Sequence, residues 1–118
     1  DAIALALNER CIADILIIRC TGSTLSGERV ISCMAPCFAV PTDNVLASQL
    51  ALVLLRRTAQ LQFAKWEIGT YDDADWFYLN VDLLAQTLDD EELSAALTAL
   101  INESAAFKKE LQKTNIDF

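Results

Sequence analysis

Histidine is absent from this sequence, and glycine and proline are scarce, at three and two residues in 118. Without histidine there is no Ser–His or Cys–His pair for nucleophilic catalysis. Three scattered glycines do not make a phosphate-cradling loop. So little Gly and Pro beside 53% hydrophobic residues excludes a disordered or low-complexity chain. Basic residues are few, nine against 17 acidic, for a net charge of −8. Phosphate backbones and anionic membrane surfaces need a basic face, so nucleic acid and membrane are disfavoured as partners. Basic protein segments and divalent cations remain open. The first residues lack a basic stretch and a small-residue cleavage site, so no signal peptide is expected. The longest apolar run, residues 43–60, ends in Arg56 and Arg57 and falls short of the about 20 apolar residues a membrane span needs. The expectation is one cytoplasmic domain over residues 1–118.

What is present is a core. Asp43 to Gln60 has the period of a helix, with Leu46, Leu50, Val53, Leu54, Arg57 and Leu61 on one face. Val45, Leu52 and Leu55 fall off that face. The helix is therefore expected to be covered on more than one side, by its own sheet and by another helix or a second subunit. Leu52 and Leu55 are the expected dimer contacts. Thr42 or Asp43 is the expected N-cap.

Around this helix the pattern switches to strands. Residues 1–8 alternate, and Cys11 to Cys20 is an Ile-rich continuous run. Arg29 to Val40 is a third strand, interrupted by Pro36, which implies a bulge or an edge. Leu61 to Thr70 and Trp76 to Leu84 alternate on either side of a short polar turn, so they are expected to form an antiparallel hairpin. In the second of these, Phe77, Leu79, Val81 and Leu83 point one way, and Trp76, Tyr78, Asn80 and Asp82 the other. A final helix from about Asp89 to Lys113 is expected, with Thr87 as its cap. Its first turn is acidic and its last turn basic, both favourable to the helix dipole. The order βββαββα makes an α+β domain with a five-stranded, mainly antiparallel sheet and two helices.

Charge is unevenly spread. No Lys or Arg falls between Lys65 and Lys108, an interval holding Glu67, Asp72, Asp73, Asp75, Asp82, Asp89, Asp90, Glu91, Glu92 and Glu103. Such a one-signed surface is either a solubilising face or a docking surface for a basic partner. Asp72, Asp73 and Asp75 form a D-D-x-D turn, and hard oxygen ligands at that spacing suit Ca²⁺. The EF-hand pattern fails, because no Gly stands at its sixth position and Leu84 replaces the twelfth-position Glu. The bland alternative is a polar hairpin turn. Trp66, Trp76 and Tyr78 stand either under a helix or on an outward face as an aromatic docking patch. Cys11, Cys20, Cys33 and Cys37 lie in apolar strand-like segments and read as reduced buried thiols. Their spacing suits neither a zinc site nor a redox dithiol. Nothing calls for a cofactor or a catalytic residue, so no enzyme is expected.

The stretch WEIGTYDDADWFYLNVDLLAQTLDDEELSAALTALINESAAF, with NVLASQLALVLLRRTAQLQFAKWEI before it, resembles the YbjN-like domains of bacteria, a largely uncharacterised family similar in fold to the type III secretion chaperones. The shared features are the strand Trp66 to Gly69, the acidic turn Asp72 to Asp75, the aromatic strand Trp76 to Leu83, the helix start Thr87 to Leu93 and the long final helix. The resemblance covers roughly Arg29 to Lys113. It implies a non-enzymatic domain that binds an extended or basic segment of another protein, or pairs with itself, through sheet and helix surfaces. It also implies a helix ahead of the first strand, which this sequence does not contain. Trp66, Trp76, Tyr78, Asp72, Asp73 and Asp75 are the expected partner-facing residues.

Overall fold

A computed structural model describes residues 2–6, 15–24, 26–71 and 73–113. In chain order the elements are β1 (Ala2–Ala6), β2 (Ile15–Ser23), β3 (Arg29–Ala39), α1 (Asn44–Gln60), β4 (Lys65–Tyr71), β5 (Ala74–Leu84), a 3₁₀ turn (Ala85–Thr87) and α2 (Asp90–Lys113). The strands lie side by side in the order β1-β2-β3-β5-β4, and every neighbouring pair is antiparallel. The α+β class, the antiparallel sheet and the two helices therefore stand.

Local chemistry explains most element boundaries. Asp43 caps α1, its Oδ1 accepting from the amides of Val45 at 2.9 Å and Leu46 at 3.3 Å. At the other end the Leu61 N–H is taken by the carbonyls of Arg57 and Thr58. Leu61 thus closes the helix, and the strand expected from Leu61 starts only at Lys65. The second helix is capped by Asp89, whose Oδ1 accepts from the Glu92 amide at 2.8 Å. Thr87, the cap expected from sequence, sits instead in the 3₁₀ turn, two residues too early. Pro36 does interrupt β3. The register against β5 slips between Pro36 and Phe38, a bulge next to the proline.

Directly opposed residues of an antiparallel pair share a face. Ile31, Cys33, Ala35 and Phe38 of β3 oppose Leu83, Val81, Leu79 and Phe77 of β5, and Leu79 and Phe77 oppose Trp66 and Ile68 of β4. On this inner face the strands meet Leu50 and Leu54 of α1 and Ala96, Leu100 and Phe107 of α2. Phe38 stacks on Phe107 with ring centres 5.8 Å apart, and Trp66 meets Phe107 edge-on at 5.3 Å. Both helices pack on this inner face.

The expectation that α1 is covered on several sides is not met among the described residues. Leu50 and Leu54 are buried, but Val45, Leu52, Val53 and Leu55 are 67%, 49%, 43% and 63% exposed. Val53 belongs to the expected inner stripe yet lies at its margin. Arg57, nearer its centre, is turned inward.

Candidate functional site

The outer face of the sheet carries Ser32, Met34 and Pro36 of β3 opposite Asp82, Asn80 and Tyr78 of β5, with Asn80, Tyr78 and Trp76 opposite Lys65, Glu67 and Gly69 of β4. Alternation from sequence separated the two faces of β5 correctly. The expected partner-facing place of Trp66 is overturned. Trp66 opposes Leu79, faces the helices and is only 5% exposed, so it is a core residue and not part of an outward patch. Trp76 and Tyr78 do lie on the outer face, both half-buried. Tyr78 lies across Gly69, where an added Cβ would come within 2.7 Å of its ring. The glycine lets the ring lie flat over β4. Trp76 meets Tyr71 edge-on, with centroids 6.3 Å apart. Its indole N–H, and the side-chain oxygen of Asn80, are buried with no hydrogen-bond partner among the described residues.

A polar network knits the middle of this face. The Ser32 hydroxyl donates to Asp82 Oδ1 at 2.6 Å, Asn80 Nδ2 donates to the same oxygen at 2.8 Å, and Lys65 Nζ donates to Asp82 Oδ2 at 3.1 Å. Lys65 also pairs with Glu67 at 3.4 Å. Burial works against the charged form of Asp82, but the hydrogen bonds from Ser32, Asn80 and Lys65 outweigh it and hold the carboxyl below its ordinary range. Lys65 is held above its ordinary range, chiefly by its hydrogen bond to Asp82. Burial, and then the neighbouring Glu67 carboxylate, push the Tyr78 phenol up.

The acidic turn closes the β4–β5 hairpin. Asp73 has the left-handed φ of 61° that tight hairpin turns require. Asp73 and Asp75 are exposed, and Asp75 Oδ1 accepts from the Thr70 hydroxyl at 3.1 Å. Asp72 lies outside the described residues, as does Cys11. Among the described residues no three His, Cys, Asp or Glu side chains gather as a metal site. Cys33 and Cys37 are buried thiols and Cys20 is an exposed one.

Sequence reasoning missed one polar cluster. Glu103 of α2, 7% exposed, takes a two-pronged pair from Arg57 of α1, Nε at 2.8 Å and Nη2 at 2.6 Å. It also accepts from the Trp66 indole N–H at 2.8 Å. The Arg57 guanidinium sits 5.1 Å from the Phe107 ring centre. Its charge is reinforced first by the Glu103 hydrogen bonds. The signal was available: Glu103 falls at helical spacing between Leu100 and Phe107, as Arg57 does on the stripe of α1.

At the free edge of the sheet, β4 and α1 enclose an apolar cavity of about 190 Å³ lined by Ala51, Leu54, Leu55, Trp66, Glu67, Ile68 and Phe77. No helix among the described residues is long and apolar enough to cross a membrane. Comparison with protein-family models, curated proteins and solved structures finds no match.

Proposed function

We propose that this chain is a non-enzymatic, cytoplasmic protein-binding domain, chaperone-like or regulatory, that receives a basic or extended segment of another protein. The layout is read as the five-stranded arrangement of the YbjN-like and secretion-chaperone-like domains its sequence resembles. One observation carries the proposal: both helices pack on the inner face, and on the hairpin part of the outer face Trp76 and Tyr78 stay partly exposed beside the carboxylates of Glu67 and Asp82. Aromatic side chains anchor interfaces. The acidic hairpin, with Asp72, Asp73 and Asp75 at its turn, favours a partner of opposite charge and speeds its approach. On α1, Leu52 and Leu55 stand exposed and are the proposed self-association surface.

An array of short peptides, basic against acidic, tests the binding reading. Basic peptides should bind, more weakly in Trp76→Ala and Tyr78→Ala, and more weakly as salt rises past ~0.15 M, where charges beyond about 8 Å are screened. A blank array overturns the reading. The rival, a calcium-responsive module on Asp72, Asp73 and Asp75, requires heat on calcium titration or a raised melting temperature. Neither at millimolar calcium removes it.

A further inference from the structure

The geometry points to a strand-addition site at the β4 edge, where a partner's extended segment, apolar at alternate positions and basic between them, pairs with Ile68 and Thr70 and sets one apolar side chain into the cavity under α1. This rests on the protein-binding reading and names its partner's form. β4 is an end strand of the sheet. The Trp66 amide donates to the Thr58 hydroxyl at 2.9 Å and so points away from β5. Main-chain groups alternate sides along an antiparallel strand, so the N–H and C=O of Ile68 and Thr70 point to the same free edge. Lys65, Glu67, Gly69 and Tyr71 face β5. Thr58 therefore closes the first outward position and leaves the next two open.

A row of alternating donors and acceptors at strand spacing is matched by the backbone of another strand. The pocket beside it specifies a side chain as well. Its apolar walls and about 190 Å³ suit one Leu- or Val-sized group. Ile68, 56% exposed, forms its rim together with Leu55.

Charge selects the occupant. Glu67 carries its carboxylate on the outer face beside this edge, Asp73 and Asp75 stand exposed at the hairpin end, and Lys65, the hairpin's one cation, is engaged by Asp82 and Glu67. A second copy would bring the same carboxylates to the same edge. Pairing both open positions with their symmetry mates sets Thr70 opposite Ile68, so the apolar cavity would meet a hydroxyl. A partner strand carrying Lys or Arg meets neither obstacle.

The probe is a fluorescein-labelled KVTLKV amide, with EVTLEV as control, read by anisotropy and by amide exchange of the whole chain. Thr70→Pro removes one outward N–H that plays no part in the β4–β5 ladder, and an edge proline of this kind is tolerated. Ala51→Phe fills the cavity independently. KVTLKV should bind at least about ten-fold tighter than EVTLEV, each variant should weaken it by about ten-fold, and it should slow exchange at Ile68 and Thr70. Undiminished binding to both variants, equal binding of EVTLEV, or no binding at millimolar peptide overturns the site. So does a dimer by light scattering that Thr70→Pro dissociates, since the occupant is then a second copy. Binding that disturbs Trp76 and Tyr78 but not Ile68 and Thr70 overturns the edge site while the broader reading stands; a blank basic-peptide array overturns both.

Discussion

Glu103 is the residue with most at stake. A buried carboxylate held by Arg57 and Trp66 joins α2, α1 and β4 at one point. Removing one member leaves the others' charge or polarity uncompensated, whereas removing the charged pair together does not. Glu103→Leu should cost about 3–5 kcal/mol. Arg57→Met combined with Glu103→Leu should recover most of that in urea melts; equal losses in single and double variants would count against the clamp. Asp82 makes a gentler prediction. Its folded pKa is depressed, so it contributes stability above the unfolded value of about 3.9 and loses it as pH falls through the folded value. The wild type should weaken below about pH 4 more steeply than Asp82→Asn, by a modest margin because the side chain is 40% exposed and shared with water.

At the scale of elements, the β4–β5 hairpin carries both candidate surfaces, and its turn holds the one positive-φ residue other than glycine among the described residues, Asp73. Relief of about 1–2 kcal/mol, less about 0.4–1 for the freer unfolded chain, should make Asp73→Gly more stable by about 0.5–1 kcal/mol. A melting temperature that falls instead would mean the Asp73 side chain makes a contact worth more than the strain. The hairpin also shows how far sequence carries. Period-two alternation placed both strands and split the faces of β5, because a pleated strand has no other periodicity. It did not say which side the helices cover. Ala64, Trp66 and Ile68 share one face by alternation, and the pairing of Trp66 with Leu79 shows that this face is the inner one. Helix ends were missed by a residue or two where competing caps stood close, as Thr87 and Asp89 do. The edge cavity was illegible, since it arises from the packing of α1 against β4 and from no local pattern. The acidic hairpin was legible in full as charge, and Asp73 and Asp75 appear where the turn was expected.

Over the whole molecule, the carboxylates are kept off α1. α1 contains no acidic residue, and the interval from Trp66 to Phe107 contains no basic one. Self-association through Leu52 and Leu55 would therefore proceed without the repulsion that a net charge of −8 sets between other faces. Light scattering at tens of micromolar should find a dimer that Leu52→Glu with Leu55→Glu dissociates; a clean monomer removes the self-association surface.

The placement of the thiols has a practical corollary. Cys33 is wholly sealed in the middle of β3, and burial raises its thiol pKa further, while Cys20 is open to solvent. An alkylating reagent reaches Cys20 directly but reaches Cys33 only in the moments when the helical layer lifts. The slow phase of labelling is then an internal clock, timing the loosest excursions of the fold without any added probe.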